Sequence, residues 1–440
     1  MKRGRRECMF KGKNMLMILL VLFFTVASLI VVFLLSRRAK LNEKMTTREG
    51  EIEITMSWWG NDGRHKYTME GVDLFQERHP ELKVNYRYGV WNGYEKRNKV
   101  WMESHSEADV MQINFAWLKE YSPDGEGFYD LRKLSDYIDL DNFTEEELGY
   151  GESNGVLNAL PIAMNTHTFY YNQDLLDKYG CEVPSDWDDL LELGKKVKAD
   201  GKYALGITKK QLFLIMIAYY EQTSGKKFFN EDGTLAIDEA GMKNVLIYYK
   251  QLIDEHVFCP VNDFDRSKYM AGDIVGVMCW ISDTKIYCDG MMETGARVSR
   301  GLWPKAEGAA DSGWYVKPAT MWAISADTLH PEEAATLLNF LLNDPDMAVL
   351  QKTEKGVPVS DSAVKALTGQ GLTETNEYKA TQEMNEHQQE LHIMIPIMEN
   401  DAVLDVFKSG ADEYLYDKQS ADECAAAICA GIRELAAEEK

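Results

Sequence analysis

Aromatic rings occur together with amide and carboxylate side chains in four short loops, each placed where a predicted strand ends. Flat rings stack on the apolar faces of sugar rings, while Asn and Asp form directed hydrogen bonds with hydroxyl groups. In open α/β sheets, ligands bind outside the carboxyl ends of the strands. The four loops therefore predict a carbohydrate-binding cleft. They are Trp58-Trp59-Gly60-Asn61-Asp62, Trp91-Asn92-Gly93-Tyr94, Asn114-Phe115-Ala116-Trp117 and Trp280-Ile281-Ser282-Asp283.

Sequence patterns of catalysis or metal binding do not accompany these loops. The chain contains no H-E-x-x-H, no G-x-S-x-G, no P-loop and no dinucleotide fingerprint. Its seven cysteines form no C-x-x-C pair and no Cys/His ligand spacing. We therefore predict no catalytic residue, no metal and no cofactor. Cys279 and Cys288 could bridge a short loop, although free buried thiols are the commoner outcome.

The elements that would position the loops alternate between strand and helix. Ile52 to Trp58 alternates as a strand, and an amphipathic helix then runs to about Arg78. A second strand, a second helix through Met102 and a third strand at Asp109 to Ile113 follow. This order is typical of a parallel sheet covered by helices. The roughly 395 residues after the N-terminal segment exceed one compact core, so we expect two lobes.

An uncharged, mostly apolar run covers residues 15–35. As a helix it would extend roughly 31 Å, about the thickness of a bilayer core. Six basic residues precede it and four follow closely, which favours the N-terminus inside the cell and the rest of the chain outside. The run ends in Leu34-Leu35-Ser36-Arg37-Arg38, which offers no clean cleavage site, so we favour an uncleaved anchor over a cleaved signal peptide. Residues 1–14 would then be cytoplasmic, and 36–50 would form a linker.

The part of the chain beyond the anchor is strongly acidic. Residues 45–440 contain 38 Lys and Arg against 69 Asp and Glu, a net charge of about −31. Such a surface repels nucleic acid and anionic lipid, so neither is expected as a partner.

From about residue 51 to the end, the chain resembles the sugar-binding solute-binding proteins of ABC importers, the group that includes maltose-binding proteins. Each matching segment is degenerate, but their order and spacing together are specific. The segments are Ala159-Leu160-Pro161, residues 169–176, residues 184–190, residues 272–278, residues 321–325, Pro331-Glu332-Glu333-Ala334-Ala335, Asn339-Phe340-Leu341 and Gly356-Val357-Pro358. The chain departs from the family in having no cysteine just after the apolar run, so a transmembrane helix would replace a lipid anchor.

The resemblance implies an α/β, two-lobed periplasmic-binding-protein-like fold with hinge crossovers, here preceded by an N-terminal transmembrane helix. One lobe would hold about 51–164 and 304–326, and the other about 167–300 and 328–440. The crossovers would fall near Met164–Thr166, Gly301–Pro304 and Ala326–Leu329. Closure of the lobes on a solute would be absorbed by a few backbone torsions at these hinges.

The resemblance also implies positions for ligand contacts. Trp280 matches a ring that lies in the sugar cleft of relatives, and Asn165 sits at the first crossover. Gln211 and Phe213 lie in a stretch that often supplies contacts from the second lobe, and Trp322 could line or narrow the cleft. With the loop residues, the predicted ligand-binding set is Trp58, Asn61, Asp62, Trp91, Asn114, Trp117, Asn165, Gln211, Phe213, Trp280, Asp283 and Trp322.

The function predicted from these features is capture of a carbohydrate, in particular an oligosaccharide, by a membrane-anchored extracellular receptor that delivers it to ABC permease subunits. If the N-terminal segment is cleaved, the protein would instead be secreted. Two alternatives stay open at this point. An extracellular carbohydrate-active enzyme would need two opposed carboxylates roughly 5–10 Å apart. A sugar-sensing module would keep the same binding site but act on a signalling partner.

Overall fold

The computed structural model describes residues 51–438. The predicted basic segment 1–14, membrane helix 15–35 and linker 36–50 lie outside the described residues and stay predictions. Within the described range, no helix is both long and apolar enough to cross a membrane.

Strands and helices alternate along most of the described chain, as the sequence pattern predicted. The strands are β1 Ile52–Trp59, β2 Leu82–Gly89, β3 Val110–Ile113, β4 Glu152–Ser153, β5 Val156–Leu157, β6 Ala159–Asn165, β7 His167–Asn172, β8 Tyr203–Gly206, β9 Ile274–Trp280, β10 Val298–Gly301, β11 Tyr315–Ile324 and β12 His392–Ile393. The helices are α1 Asp62–Arg78, α2 Tyr94–Glu103, α3 Phe115–Tyr121, α4 Glu145–Gly149, α5 Gln173–Tyr179, α6 Trp187–Lys198, α7 Lys209–Ser224, α8 Glu239–Asp254, α9 Arg266–Met270, α10 Gly290–Glu293, α11 Pro331–Asn343, α12 Pro345–Gln351, α13 Asp361–Thr368, α14 Asn376–Glu386, α15 Asp401–Leu415 and α16 Ala421–Glu438. Short 3₁₀ turns cover Leu131–Leu134, Leu140–Asn142, Ile281–Asp283, Leu372–Glu374, Gln388–Glu390 and Pro396–Glu399, and a π-helical turn covers Lys285–Asp289.

The first lobe is built on a six-stranded sheet. Its order is β12-β11-β3-β1-β2, with β6 paired to β11. β1 pairs in parallel with β2 and β3, whereas β11 runs antiparallel to β3 and β6. The carboxyl ends of the three parallel strands therefore meet at one edge of the sheet.

Both faces of the first sheet are covered by apolar side chains. Because successive residues of a strand point to opposite faces, Trp58 packs in one core with Phe75 of α1. Trp59 packs in the other core with Tyr94 and Trp117. The alternation thus divides the two adjacent tryptophans between two cores.

The second lobe is built on a four-stranded sheet with the order β10-β7-β9-β8. β7 runs antiparallel to β9, and β8 pairs in parallel with β9. Its large core combines β7 and the helices α6, α7, α8, α15 and α16, represented by Phe169, Trp187, Phe213, Tyr249 and Phe407.

The chain crosses between the lobes along three segments. β6 ends at Asn165 in the first sheet, and β7 begins at His167 in the second. β11 starts with Tyr315 in the second-lobe core and ends with Ile324 in the first-lobe core. The chain returns to the second lobe after α13, because α14 packs against the turns that follow β9.

Two of these crossings differ from the expected ones at 301–304 and 326–329. Trp303 belongs to the second-lobe core, so the chain has not crossed there. The helix α11 was expected in the second lobe, but its Ala334, Leu337 and Leu338 pack in the core of the first sheet. Its amphipathic spacing predicts a buried face, but spacing alone does not indicate which of two sheets that face covers.

The six described cysteines, including Cys279 and Cys288, have free thiols. Cys279 is fully buried on β9, and Cys288 is nearly so in the π-helical turn. The possible bridge between them is therefore not formed in this structure.

Candidate functional site

Three of the predicted ligand-binding tryptophans are core side chains. Trp58, Trp117 and Trp322 are each at most 1% exposed. The Trp58 Nε1 donates to His65 Nδ1 at 3.1 Å, and the Trp117 Nε1 donates to Glu95 Oε1 at 3.3 Å. Their rings are thus used in packing and are closed to an incoming sugar.

Other predicted residues stand at the carboxyl edge of the first sheet but have local roles. Asn61 accepts a hydrogen bond from the Arg64 amide at the start of α1, and Asn114 accepts one from the Ala116 amide at the start of α3. Asp62 is exposed in the first turn of α1. Trp91 is 42% exposed, and its ring stacks on Trp117 with 5.8 Å between centroids. Trp91 is thus the one residue of these four that presents a partly exposed aromatic ring.

Gln211 and Phe213 lie on α7 within the second lobe. The Gln211 side chain accepts from the Thr208 amide as part of a capping box at the helix start. Phe213 is completely buried and contacts Phe228 and Phe407. The structure therefore places both residues in the framework of the second lobe.

Trp280, Asn165 and Asp283 meet where the first crossing passes between the lobes. The Asn165 amide donates to Ser282 Oγ at 3.0 Å, and its oxygen accepts from the Ser282 amide at 3.3 Å. Trp280 lies at the end of β9 and is half-buried, with its ring centroid 3.7 Å from that of His167. Burial raises the pKa of Asp283, and the positive charge of Arg64 offsets only part of that effect.

Arg64, which the sequence did not single out, faces Asp283 from the first lobe. Its Nε donates to the Glu354 carbonyl at 2.8 Å. The stem of Arg64 lies over Gly60, where an added Cβ would lie 2.6 Å from the Arg64 Cβ. The glycine therefore allows the arginine to cover the end of β1. Arg64 follows the capping residue Asn61 by three positions, so attention to the whole first turn of α1 would have included it.

A salt bridge connects the lobes beside Arg64. Lys285 in the π-helical turn of the second lobe lies 3.0 Å from Glu354 Oε1 in the first. π-Helical turns are rare and occur frequently at functional sites. We call the group Arg64, Trp280, Asp283, Lys285, Glu354 and Lys355 the interlobe site.

Lys355 is the most deeply buried member of the interlobe site, at 2% exposure. Its Nζ donates to Gln112 Oε1 at 2.9 Å. It also lies 4.7 Å from the Trp322 ring centroid and 6.0 Å from that of Tyr67. Burial lowers its pKa well below the usual value, and the charge of Arg64 acts in the same direction. No sequence pattern marks this lysine, because its environment comes from four separate segments.

Glu377 on α14 lies close enough to Arg64 for their charges to interact. It is 5% exposed, and its Oε1 has no hydrogen-bond partner. Burial raises its pKa to about 8, with a smaller opposing effect from a hydrogen bond to Thr353. Glu377 is therefore mostly protonated at neutral pH, when it can donate a hydrogen bond as well as accept one.

One group of side chains has the spacing of a metal site. Ligand atoms of Glu221, Asp311 and His392 lie within 4.8 Å of one another. The Lys227 ammonium, however, contacts Glu221 Oε2 at 3.0 Å and Asp311 Oδ2 at 2.8 Å. The Tyr315 hydroxyl donates to Glu221 as well. A lysine thus already supplies the positive charge that this acidic pair requires.

The interlobe site combines a half-buried indole ring, carboxyl groups and three basic side chains, contributed by both lobes. A ring offers a stacking surface, and the polar groups offer hydrogen bonds of fixed direction. A ligand that contacts both lobes would stabilise the arrangement in which they face each other. The chemistry available is therefore recognition of a polar, ring-shaped molecule.

Comparison with known proteins identifies relatives of the same architecture. Residues 71–385 match the family model described as bacterial extracellular solute-binding protein. A putative binding protein of Brucella abortus is 26% identical over 218 residues, which is 48% of this chain and 52% of that protein. The arabinooligosaccharide-binding protein of Bacillus subtilis is 26% identical over 231 residues, 50% of this chain and 51% of that protein. The chain thus spans about half the length of the curated relatives it matches.

Solved structures resemble the chain over most of its length. A periplasmic oligogalacturonide-binding protein from Yersinia enterocolitica, in complex with saturated digalacturonic acid, has a TM-score of 0.79 and 29% identity, covering 88% of this chain and 99% of that one. A de novo designed cysteine esterase has the same TM-score of 0.79 and 29% identity, covering 89% of this chain and all of that one. One fold therefore carries different activities, so function must be argued from the site.

Proposed function

This chain belongs to the bacterial extracellular solute-binding proteins, and we propose that it captures an oligosaccharide between its two lobes and delivers it to an ABC-importer permease. The relatives support this proposal, since one binds an arabinooligosaccharide and another an oligogalacturonide. Both are chains of sugar units.

The observation that carries the proposal is the position of Trp280. Its ring lies at the carboxyl end of β9, is half-buried, and stands at the crossing between the lobes beside Asp283. One neighbour on its own sheet, His167, holds the ring through a contact with 3.7 Å between centroids. A fixed ring next to carboxyl and amide groups suits the apolar face and the hydroxyl groups of a sugar.

Closure of the two lobes would complete the site. Three crossing segments join the lobes, and the pairs Lys285–Glu354 and Gln388–Glu146 connect their facing surfaces. An exposed pair of this kind contributes little on its own, so a ligand that contacts both lobes can determine how much of the population is closed.

The anchor belongs to the same proposal. Residues 15–35 would tether the receptor to the outer face of the membrane, close to the permease. Extraction of cell membranes with alkaline carbonate tests this point. An anchored chain stays with the membrane, whereas a cleaved, secreted one appears in the medium.

A thermal-shift screen of the full-length chain tests sugar binding. The panel would contain arabinooligosaccharides, maltooligosaccharides and oligogalacturonides, together with the monosaccharide of each. A ligand at 100 times its Kd stabilises a protein by about 2.7 kcal/mol, which gives a measurable rise in melting temperature. No rise with any sugar, or release of new reducing ends from the glycans, would contradict the proposal.

A further inference from the structure

Lys355 and its neighbours form a buried group of hydrogen-bond donors with too few acceptors. Three donors around the lysine have no partner among the described residues: the Tyr67 hydroxyl, the Trp322 Nε1 and the Gln112 Nε2. All three side chains are at most 5% exposed. An indole N–H and an amide NH₂ can only donate. The group as a whole therefore has more hydrogen-bond donors than acceptors, and a bound acceptor would satisfy the donors that remain.

The charge of this group is also uncompensated. Within residues 51–438, no carboxylate oxygen lies within the 4.0 Å salt-bridge distance of Lys355 or Arg64. The adjacent Glu354 pairs instead with Lys285. A buried ammonium without a counterion is costly, and burial accordingly lowers the pKa of Lys355. This chain has 71 Asp and Glu against 48 Lys and Arg. Acidic residues are abundant, yet none of those that the structure describes forms a salt bridge with Arg64 or Lys355.

Two carboxyl groups near Arg64, those of Asp283 and Glu377, would oppose an anionic ligand less than ordinary carboxylates would. Burial raises the pKa of Asp283, and it raises that of Glu377 to about 8. At Glu377 the neutral form is thereby favoured at neutral pH, and a protonated carboxyl group can donate a hydrogen bond.

Building on the oligosaccharide-binding function proposed above, we infer that the bound sugar carries a carboxylate, as a uronic acid unit does, and that Arg64 binds this carboxylate with Lys355 behind it. An arginine guanidinium matches a carboxylate with two parallel hydrogen bonds. Burial disfavours the charged form of Lys355 in the unliganded protein, and a carboxylate bound beside it would favour the ammonium form. The unpartnered donors lie around the same side chain. The sugar carboxylate would thus act as the counterion of Arg64 and Lys355, which no described carboxylate of the protein provides.

Calorimetric titration of the full-length chain tests this inference with matched pairs of sugars. The acidic probes are α-1,4-digalacturonate and a glucuronate-containing disaccharide, each paired with its carboxyl-reduced neutral counterpart. Maltotriose and arabinotriose complete the set. We expect at least one acidic sugar to bind about tenfold or more tightly than its neutral counterpart, since a hydrogen bond to a charged group is stronger than a neutral one.

Two other outcomes separate this inference from the proposed function. If neutral sugars bind as tightly as or more tightly than every acidic one, oligosaccharide binding stands and the carboxylate inference is wrong. If no sugar of either kind binds, the proposed function fails, and the inference fails with it.

Two substitutions locate the carboxylate site. Arg64→Gln and Lys355→Met should each weaken binding of the acidic sugar about ten- to a hundredfold and leave the neutral counterpart nearly unchanged. The control is Lys66→Met, since Lys66 is exposed on the same helix as Arg64. Circular dichroism and the melting temperature without ligand establish folding. If both folded variants keep the full preference for the acidic sugar, the site is wrongly assigned.

Discussion

Two buried lysines of this protein have opposite surroundings. Lys317 on β11 pairs with Glu399, which also receives Lys210 at 2.8 Å. Lys355 is buried as deeply, but within the described range its Nζ has only the Gln112 amide oxygen as a hydrogen-bond partner, at 2.9 Å. The first lysine joins a crossing strand to the C-terminal part of the second lobe, and the second faces a group of unpartnered donors.

The contrast distinguishes an ion pair that stabilises the fold, Lys317 with Glu399, from a lysine that we propose contributes to ligand binding, Lys355. Burial opposes the charged form of Glu399, but Lys317 and Lys210 outweigh it and hold its pKa at about 2. Around Lys355, burial and Arg64 both disfavour the charged form. A buried titratable group with a strongly shifted pKa and no counterion is a candidate binding group.

The largest expected effect on stability comes from breaking the ion pairs of Glu399 with Lys317 and Lys210. Glu399→Gln leaves Lys317 and Lys210 without their anion, and loss of one partner of a buried ion pair costs about 3–5 kcal/mol of unfolding free energy. Urea denaturation measures this loss. The matched control is Asp405→Asn, which removes the partner of Lys209 at an exposed pair and should cost less than about 1 kcal/mol. Equal losses of unfolding free energy in the two variants would show that the buried pair stabilises the protein no more than the exposed one.

The second effect is a pH dependence from Glu377. Its folded pKa of about 8 lies above the ordinary 4.5, so between these values the folded state binds more protons than the unfolded state. Stability therefore falls as pH rises across this range, by roughly 1 kcal/mol per pH unit. Glu377→Gln should flatten the slope between about pH 5 and 8, while Glu374→Gln, at an exposed position, should not. Identical slopes in wild type and Glu377→Gln would contradict the expectation.

Glu399 acts in the opposite direction, because its stabilisation is lost as pH falls towards 2.

The third effect tests the unpaired lysine directly. Lys355→Met removes a buried amino group that has no counterion within residues 51–438, so the unliganded protein should lose no stability and gain up to roughly 2 kcal/mol. Lys317→Met should instead destabilise it, because Glu399 then loses one of its two cations. Both are measured by urea denaturation. A loss of several kcal/mol in Lys355→Met would show that this lysine is a structural group.

The smallest effect is expected at the bridge between the lobes. Lys285 is largely exposed in its pair with Glu354, so Lys285→Met should change unfolding free energy by less than about 1 kcal/mol. Because the bridge joins the lobes, the same variant should speed sugar release in stopped-flow measurements. Lys99→Met removes an exposed pair within the first lobe and is the control. An unchanged release rate would exclude a role in closure.

The sequence predicted the elements better than the site. Alternation and helical spacing located β1, α1 and β2, because these signals are local. They did not show that α11 covers the first sheet, since two sheets compete for one apolar face. The four aromatic loops lie at or just after the ends of β1, β2, β3 and β9, as predicted. The pleat of β1, however, directs the Trp58 and Trp59 side chains into two separate cores.

The charged part of the site could not be predicted from spacing. Arg64, Lys285, Glu354 and Lys355 come from distant segments, and what matters is which charge lacks a partner after folding. In a chain with 71 acidic residues, that absence is visible only in three dimensions. Trp280 and Asp283 were predicted because their loop follows an apolar strand and, for Trp280, because relatives place a ring there; their contact with a ligand stays a prediction.

The most direct test is a crystal structure of the full-length chain with the acidic disaccharide that binds most tightly. The decisive quantity is the distance between the sugar carboxylate oxygens and the Arg64 guanidinium nitrogens. We predict about 2.7–3.2 Å, with a sugar ring against Trp280 and the carboxylate on the side of Lys355. A sugar bound away from Trp280, or a carboxylate turned to solvent with Arg64 and Lys355 still unpaired, would contradict the account.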